Sequence, residues 1–268
     1  MYNNTLTLNN GAKIPQLGLG TWFIDDAKVA DAVKEAVKLG YRHIDTANFY
    51  ENEKYVGRGI RESGIDREKL FVVSKIWPTS FKTPEVAIEY SMRALNIDYI
   101  DMYLLHWPSQ NEYARNHAFE TLLKYKEKGY FKEVGVSNFK KEHLEKLKET
   151  FGFYPMMNQI EISPWLQKKE DYAFCQENDI VMTACVPFAK GNILNDPKLV
   201  EIAEKPGKNV GQVILRWVVQ RGIIPLAKTV RKERMLENID IFDFELTDED
   251  MQLISDMNKD TSSFFSHY

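Results

Sequence analysis

Short apolar segments alternate with amphipathic segments of helical length along the whole chain, and this alternation limits the possible folds more than any other feature. The eight predicted strands cover residues 16–20, 42–45, 70–75, 99–106, 133–136, 156–159, 180–184 and 223–226. Several of them, such as "LFVVS", "MYLL" and "IVMTA", are apolar at consecutive positions, which is typical of strands buried on both faces of a parallel sheet. Eight such strands with helical connections in a chain of 268 residues predict an α/β fold, the (β/α)8 barrel.

The segments between the strands carry the spacing and the end signals of helices. In "DDAKVADAVKEAVKLG", Val29, Val33 and Val37 share one helical face, and Gly40 stands where a helix ends. In "TPEVAIEYSMRAL", Thr83 is predicted as the N-cap and Pro84 as the first helical residue. Both segments are therefore predicted to be helices of the barrel's outer layer.

The chain reads as a single barrel domain, residues 1–268, because no Pro/Gly/Ser-rich linker and no block of like charge divides it. The N-terminal "LTLNNGAKIP" predicts a β-hairpin with an Asn-Gly turn, which we expect to cap the barrel floor. An open doubly wound sheet is the main rival fold. It would hold a dinucleotide on a three-glycine turn after its first strand, and "GLGTWF" supplies only two of the three.

Composition excludes several classes of partner. The net charge of −4 argues against nucleic-acid binding, which needs a basic patch. The start "MYNNTLTLNN" lacks the pattern of a signal peptide, and the apolar runs are too short to cross a bilayer. Two cysteines, Cys175 and Cys185, make neither a disulfide framework nor a zinc cluster. The expected protein is cytoplasmic, without a membrane or nucleic-acid partner and without a metal, and is a monomer or a weak dimer.

Four polar residues fall at the ends of three successive predicted strands or just beyond them. Asp45, Lys75 and His106 end the second, third and fourth strands, and Tyr50 follows in the loop after Asp45. Taken singly, the pair Asp45–Lys75 reads as a structural salt bridge and His106 as a core histidine. Neighbouring strands lie only about 4.8 Å apart, and the active residues of such barrels stand at this end. Jointly, the four residues therefore predict a catalytic site.

This set of groups suits proton donation to an oxygen that gains negative charge. A phenol with a pKa near 10 is a weak acid, and an adjacent ammonium is expected to lower that pKa. Asp45 would keep Lys75 charged, and His106 could hydrogen-bond the substrate oxygen. A carbonyl that receives a hydride is one such oxygen. None of these side chains carries a hydride, so a nicotinamide cofactor would have to supply it.

Six motifs in order resemble the aldo-keto reductase family: "RHIDTANFYENE", "VVSKIWP", "YIDMYLLHWP", "GVSNF", "MNQIEISP" and "KTVRKERMLEN". The resemblance runs from "IPQLGLGTW" to "FELTDEDM" and implies NADPH-dependent reduction of aldehydes or ketones to alcohols. It implies Tyr50 as the general acid and base, Lys75 and Asp45 as its tuning pair, and His106 as the orienting residue. The implied substrate-binding residues are Trp22, Tyr50, Trp77, His106 and Trp107.

The resemblance also implies how NADPH is held. Three residues resemble the family's carboxamide contacts, namely Ser137, Asn138 and Gln159. Four resemble its grip on the 2′-phosphate, namely Lys228, Thr229, Arg231 and Arg234, and two resemble its adenine contacts, Glu237 and Asn238. A cationic cluster at a helix start opposes the helix dipole unless an anion lies there, which supports the phosphate assignment. The remaining cofactor-binding residues by resemblance are Thr21, Trp22, Asp45, Cys185, Val186, Pro187, Phe188 and Val230.

The chain departs from the family at the position where many members stack an aromatic ring on the nicotinamide, followed by Ser-Pro-Leu. Here the sequence is "ACVPFAKG", which places Cys185 at the stacking position. This departure leaves open a nucleotide-binding relative that senses or regulates redox state with little catalysis. A metal-dependent hydrolase with His43, Asp45 and His106 as ligands is a third possibility, although five histidines in all offer few ligands to complete its sphere.

Overall fold

The computed structural model describes residues 4–263, and its centre is a closed barrel of eight parallel strands. The strands in chain order are β1 Thr5–Thr7, β2 Lys13–Pro15, β3 Gly18–Gly20, β4 His43–Asp45, β5 Phe71–Ile76, β6 Ile100–Leu105, β7 Phe131–Ser137, β8 Met157–Glu161, β9 Val181–Cys185 and β10 Ile224–Ala227. The barrel runs from β3 to β10 in chain order and closes where β10 pairs with β3. This confirms the predicted (β/α)8 barrel. The predicted domain limits, residues 1 and 268, lie outside the described residues.

Helices surround the barrel. They are α1 Asp26–Leu39, α2 Glu53–Glu62, α3 Pro84–Leu95, α4 Glu112–Glu127, α5 Lys141–Phe151, α6 Lys169–Glu177, α7 Pro197–Glu204, α8 Val210–Gln220, α9 Lys232–Ile239 and α10 Asp248–Ser255. A short 3-10 turn, Asn48–Tyr50, stands between β4 and α2. In the range 4–263, no helix is both long enough and apolar enough to span a membrane.

The N-terminal strands form the predicted hairpin. Strand β1 pairs antiparallel with β2, and Gly11 in the turn between them has a φ of 88°. Leu8 and Ile14 are buried in one apolar cluster with side chains of the barrel strands, among them Met102 and Leu104. The hairpin therefore closes the barrel floor, as the sequence predicted, and leaves the opposite end for the site.

Most of the helix signals act as predicted. Val29, Val33 and Val37 of α1 are buried, and Gly40 ends the helix in the left-handed conformation, φ 110°. Thr83 is an exception. Its side chain makes no hydrogen bond to the start of α3, where Pro84 has no N–H to be satisfied. The helix therefore starts where the sequence predicts, but without the predicted side-chain cap.

The strand ends differ from the predicted ones by one or two residues because the pairing partner sets them. Glu161 and Cys185 pair across β8 and β9, so both strands run further than their sequences indicate. Lys75 lies one residue before the end of β5, and His106 follows β6. The His106 N–H still donates to the Ile76 carbonyl at 3.0 Å, so its backbone remains tied to the neighbouring strand.

Candidate active site

A buried ion pair lies at the carboxyl end of the barrel. The Lys75 ammonium donates to Asp45 Oδ1 at 2.7 Å, to the Thr46 carbonyl at 2.8 Å and to the Tyr50 hydroxyl at 3.3 Å. An ammonium has three N–H donors, so all of them are used. The side chains of Lys75 and Asp45 are 0% and 3% exposed. Such complete hydrogen bonding is what offsets the cost of burying a charge.

Asp45 also anchors the neighbouring parts of the rim. Its second carboxylate oxygen accepts from Gln159 Nε2 at 2.8 Å, which links β4 to β8 across the barrel mouth. Its carbonyl accepts from the Thr21 N–H and from the Thr21 hydroxyl, both at 3.0 Å. Thr21, a predicted cofactor residue, thus fixes the loop that carries Trp22. The rim is therefore cross-linked before any ligand enters.

Tyr50 retains its proton more firmly than the sequence suggested. Burial raises the pKa of its phenol well above the usual value near 10, and the charge of Asp45 acts in the same direction. The net direction is therefore upward, although the Lys75 ammonium lies 3.3 Å from the phenol oxygen. The Tyr50 phenol is therefore protonated at neutral pH, with the Lys75 ammonium beside its oxygen.

Two buried polar residues that the sequence analysis missed hold the turn of Tyr50. Asn52 donates to the Thr21 carbonyl at 2.9 Å and accepts from the Thr46 hydroxyl at 2.9 Å. Glu53, 2% exposed, accepts from the Ser74 hydroxyl at 2.6 Å. Burial raises the pKa of the Glu53 carboxyl, opposed by that hydrogen bond. The sequence signal was "NE" at a helix start, which reads as ordinary capping until the burial is known.

Helix α2, which begins at Glu53 directly after Asn52, packs closely against α3. A Cβ added at Gly57 would lie 1.8 Å from the carbonyl oxygen of Leu95 at the end of α3. No other residue type has room there without a shift of the backbone. Gly57 thereby sets how closely α2 approaches α3, and so helps to place Asn52 and Glu53 at its start.

His106 is buried and neutral. Burial lowers the pKa of its imidazole well below the usual value, and the positive charge of Lys75 lowers it further. Its ring stands edge-on to the ring of Tyr50, with the centroids 5.6 Å apart. A neutral imidazole has one N–H, so His106 can donate a hydrogen bond to a substrate oxygen without adding a charge. The structure thus brings together all four predicted catalytic residues.

Aromatic rings line the approach to Tyr50 and His106. The Trp22 ring lies 6.2 Å from Tyr50, and the Trp77 ring stands perpendicular to His106 at 5.0 Å. Phe49, which the sequence analysis missed, stacks on Trp77 at 4.0 Å. Trp107, predicted as a third wall, lines a cavity of about 150 Å³. The other residues lining that cavity include Asn138, Lys140, Glu161 and Ser262.

The predicted carboxamide contacts lie together at the ends of β7 and β8. Asn138, in a left-handed conformation with φ 62°, uses both hydrogens of its amide, one to the His106 carbonyl and one to the Ser137 hydroxyl. Ser137 in turn donates to the Gln159 carbonyl at 2.8 Å. Within residues 4–263, the amide oxygens of Asn138 and Gln159 accept no hydrogen bond. The two residues thus lie next to each other at the rim, and their amide oxygens are acceptors of the kind that suits the NH₂ of a carboxamide.

The loop after β9 contains the departure from the family pattern. Burial raises the pKa of the Cys185 thiol, which lies close enough to Lys75 and Asp45 to feel both charges. Val186 has a φ of 53°, a conformation that β-branched residues rarely adopt, and Pro187 is buried behind it. Phe188 is half-buried and packs against an apolar cluster that contains Leu215. The aromatic ring of this loop therefore packs on the edge of the core.

Most of the residues predicted to bind the 2′-phosphate are exposed at the start of α9. Lys228, Arg231 and Arg234 all lie on the surface, as does Val230. The buried Thr229 accepts from the Arg231 N–H at 3.1 Å through its hydroxyl. Arg231 occupies the N-cap position and makes no side-chain cap. The start of α9 thus combines an end without a side-chain cap with three exposed cations near it in sequence, features that favour phosphate binding at a helix start.

The predicted adenine contacts separate in the structure. Glu237 is exposed and lines an open surface depression together with Lys208, Gln212 and Asp240. Asn238 is 7% exposed and lies against the Tyr41 hydroxyl, whose pKa it lowers against the larger effect of burial. Glu237 is thus accessible to a ligand in the described structure, and Asn238 stands mainly behind the surface.

The three ligands of the metal-dependent hydrolase alternative, His43, Asp45 and His106, are not assembled into a metal site among the described residues. His43 lies two residues below Asp45 on β4, and its ring packs edge-on against Phe71, with centroids 5.5 Å apart. Burial lowers the pKa of His43 to about 4. Across residues 4–263, no group of three or more His, Cys, Asp or Glu side chains is arranged to hold a metal ion. His43 is therefore separated from the rim where His106 stands.

Comparison with known proteins shows which family the chain resembles. The family model described as the Aldo/keto reductase family matches residues 16–259. A glyoxal reductase of Bacillus subtilis is 43% identical over 96% of this chain and 94% of its own length. A 9,11-endoperoxide prostaglandin H2 reductase of Trypanosoma cruzi is 41% identical over 96% and 92%.

Solved structures agree. An aldo/keto reductase from Brucella melitensis superposes with a TM-score of 0.91 at 41% identity, covering 95% of this chain and 99% of that one. An aldo-keto reductase of Bombyx mori in complex with NADP gives 0.92 at 32% identity, over 99% and 96%. The order of the motifs, the barrel fold and these similarities all agree. The chain belongs to the aldo/keto reductase family of oxidoreductases.

Proposed function

We propose that the chain reduces aldehydes or ketones to alcohols with NADPH, with Tyr50 as the proton donor. One observation carries the proposal: the Lys75 ammonium bridges Asp45 and the Tyr50 hydroxyl, at 2.7 Å and 3.3 Å, in a buried setting at the barrel mouth. A structural salt bridge alone would not require a phenol on the third ammonium proton. This arrangement supports proton transfer to an oxygen at that mouth.

Tyr50 and its neighbours divide the work of proton transfer. Tyr50 remains protonated at neutral pH because burial raises its pKa. An alkoxide is more basic than a phenolate, so the phenol still gives up its proton as negative charge develops on the carbonyl oxygen. Lys75 then donates to the phenolate oxygen, and the neutral His106 donates to the substrate oxygen. Asp45 holds Lys75 in place and compensates its charge.

The nicotinamide cofactor fits the groups on the rim. When bound, NADPH supplies a hydride to the carbonyl carbon. We propose the amide oxygens of Asn138 and Gln159 as acceptors for its carboxamide; Ser137 hydrogen-bonds to both residues, which supports the assignment. The uncapped start of α9, with Lys228, Arg231 and Arg234 exposed, suits the 2′-phosphate. Names of relatives support this choice, since one is a glycerol 2-dehydrogenase (NADP(+)) of Saccharomyces cerevisiae.

The molecular setting follows the same proposal. The substrate is a small carbonyl compound, as the names glyoxal reductase and aldehyde reductase suggest for two relatives. A net charge of −4 supports the absence of a nucleic-acid partner. Cys175 and Cys185 are both free thiols, which supports a reducing, cytoplasmic compartment. We propose a single-domain enzyme over residues 1–268 that works as a monomer or a weak dimer.

The test is a panel of aldehydes and ketones with NADPH, in which cofactor oxidation is followed for the wild type and for Tyr50→Phe. The variant keeps the ring but loses the transferable proton, so kcat should fall by about two orders of magnitude or more. NADPH binding, measured by calorimetry, should persist. A variant that works at near wild-type rates would exclude Tyr50 as the donor. Binding of NADPH without turnover of any substrate would favour the regulatory alternative.

A further inference from the structure

One of the cations at the start of α9 is paired with a carboxylate of another helix. The segment "KTVRKER", residues 228–234, carries four positive charges, and Lys232 is the one that the sequence analysis did not assign to the phosphate. Lys232 is the first residue of α9 and directly follows Arg231, the N-cap. Its ammonium lies 3.0 Å from Oε1 of Glu35, which belongs to α1. An acidic residue far away in sequence therefore reaches the segment proposed to bind the 2′-phosphate.

Glu35 is better shielded from water than the acidic residue within α9 itself. The Glu35 side chain is 30% exposed, and the oxygen that faces Lys232 is buried. Glu233, in the first turn of α9, is 71% exposed and lies 4.0 Å from the Arg231 guanidinium. Charges with less water around them interact more strongly, because the effective dielectric constant is lower. Glu35 therefore holds Lys232 more firmly than Glu233 holds Arg231.

The packing of α1 against α9 fixes the position of Glu35 and does not depend on the ion pair. The buried Tyr41 hydroxyl, just after α1, donates to the Met235 carbonyl of α9 at 3.1 Å. A Cβ added at Gly40, which ends α1, would contact the Ile239 side chain at 3.5 Å. Partly exposed ion pairs contribute little to stability. Stability alone thus gives little reason for a Glu35–Lys232 pair, and its charge acts mainly on its surroundings.

We propose that Glu35 is a specificity-determining residue that limits how tightly the start of α9 holds the 2′-phosphate of NADPH, because it keeps Lys232 paired and places a negative charge beside the other cations. The inference rests on the proposed function, which assigns NADPH to this chain, and adds a residue that restrains the binding of the phosphate. Tighter binding mostly means slower dissociation. Such restraint therefore lets the used cofactor leave after each turnover.

The charges predict the direction and the size of the effect. Glu35 and Lys232 together are neutral, so the pair as it stands adds little attraction for a phosphate. Without the carboxylate, Lys232 becomes a fourth unpaired cation in the segment and the repulsion from Glu35 disappears. One charge at a partly exposed helix start changes affinity by about two- to five-fold. NADH has no 2′-phosphate, so its affinity should not respond.

The experiment titrates NADPH and NADH by calorimetry into the wild type and into Glu35→Gln, which keeps the shape of the side chain without its charge. The dissociation constant for NADPH should fall about three-fold in the variant, and that for NADH should stay unchanged. The preference for NADPH widens by the same factor. At about 0.5 M salt the difference between the two proteins should largely disappear. An unchanged or weaker affinity for NADPH in Glu35→Gln overturns the inference.

A double variant tests the part assigned to Lys232. Glu35→Gln/Lys232→Ala removes both members of a neutral pair, so its dissociation constant for NADPH should return to within about two-fold of the wild type. If the double variant keeps the whole gain of Glu35→Gln, Lys232 is not the restrained cation and that part of the inference is wrong.

Glu120→Gln is the matched control for the change in net charge. Glu120 pairs with Lys124 at 2.9 Å within α4, and these side chains are 53% and 58% exposed. The control should leave both dissociation constants unchanged. A gain of the same size there would mean that net charge, not the position of Glu35, decides, and would overturn the inference.

The wild type itself separates this inference from the proposed function. Equal binding of NADPH and NADH by the wild type would contradict the proposed cofactor, and the inference would fall with it. A wild type that prefers NADPH, together with a Glu35→Gln variant whose preference is unchanged, overturns only the role of Glu35. Tightening of NADPH and NADH by the same factor in Glu35→Gln also overturns that role, because the effect would not act through the 2′-phosphate.

Discussion

Two positively charged parts of the proposed site differ in how they are held. Lys75 is fully buried against Asp45, which is 3% exposed, and its hydrogen bonds are complete in the structure. Arg231, at the start of α9, is 61% exposed, and its guanidinium lies 4.0 Å from the Glu233 carboxylate. The first charge is fixed by the fold, and the second remains hydrated.

The difference teaches which part of the chemistry is prepared in advance. A buried charge must be paired at all times, so its geometry is the same with and without a ligand. Exposed cations gain little from surface pairs and can exchange water for a phosphate at small cost. Proton transfer needs groups placed to within a fraction of an ångström, and phosphate binding needs mainly charge. The groups around Tyr50 are therefore rigid before a ligand binds, and the cations proposed to bind the cofactor phosphate remain exposed to solvent.

The largest effect is expected when the buried pair is broken. Asp45→Asn keeps the shape of the side chain but leaves the Lys75 ammonium buried without a counter-charge. Removing one partner of a buried pair costs about 3–5 kcal/mol, so the free energy of unfolding in urea should fall by that amount. Activity should fall as well, because Lys75 loses its positioning partner.

The matched control is Asp66→Asn. Asp66 also pairs with a lysine, Lys69, but these side chains are 70% and 65% exposed. This variant should cost less than about 1 kcal/mol, as is usual for surface pairs. If Asp45→Asn costs no more than Asp66→Asn, the catalytic charge is not held by the fold in the way described.

The fold and the centre of the site were predictable from the sequence because each depends on a local pattern. Strand-length apolar runs indicate the barrel, and a charge that ends a buried run marks the rim, as with Asp45 and Lys75. What the sequence could not give depends on neighbours far along the chain. The pKa of Tyr50 follows from its burial, and the closing strand residue Glu161 is set by its partner Cys185.

The site residues that the sequence analysis missed also depend on neighbours that are distant along the chain. Asn52 and Glu53 are polar and stand at a helix start, which is ordinary in sequence. They become informative only because the barrel buries them beside Ser74 and Thr46. Phe49 reads as an apolar turn residue until its contact with Trp77 is seen. Distances across the rim, not local propensity, assign these residues to the site.

An intermediate effect is expected at the exposed cations. Arg234 lies in the first turn of α9, and among residues 4–263 no carboxylate pairs with it within 4 Å. Arg234→Ala should weaken NADPH binding about ten-fold, or about 1.4 kcal/mol, and leave NADH binding nearly unchanged, since only NADPH carries the 2′-phosphate. Calorimetric titration of both cofactors measures the difference, which should shrink as salt is added.

Lys232→Ala provides the control within the same helix turn. Lys232 is already paired with Glu35, at 3.0 Å, so its charge is partly neutralised. Its removal should change NADPH affinity less than the removal of Arg234 does. Equal weakening of NADPH and NADH by Arg234→Ala would mean that the cationic segment does not read the 2′-phosphate.

The smallest effect is expected at Cys185. Its thiol is near the buried charges, and the sequence resemblance assigns it to the position where many members of the family place an aromatic ring over the nicotinamide. Phe188 is half-buried against the cluster of Leu215, and it would have to leave that contact to replace the ring. Cys185→Trp and Cys185→Tyr should therefore tighten NADPH binding by about 1 kcal/mol, the usual gain of an aromatic pair. Cys185→Ala removes the thiol without adding a ring and should leave the dissociation constant unchanged. Calorimetry gives all three constants, and unchanged or weaker binding in both aromatic variants would mean that the nicotinamide face is already covered by another group.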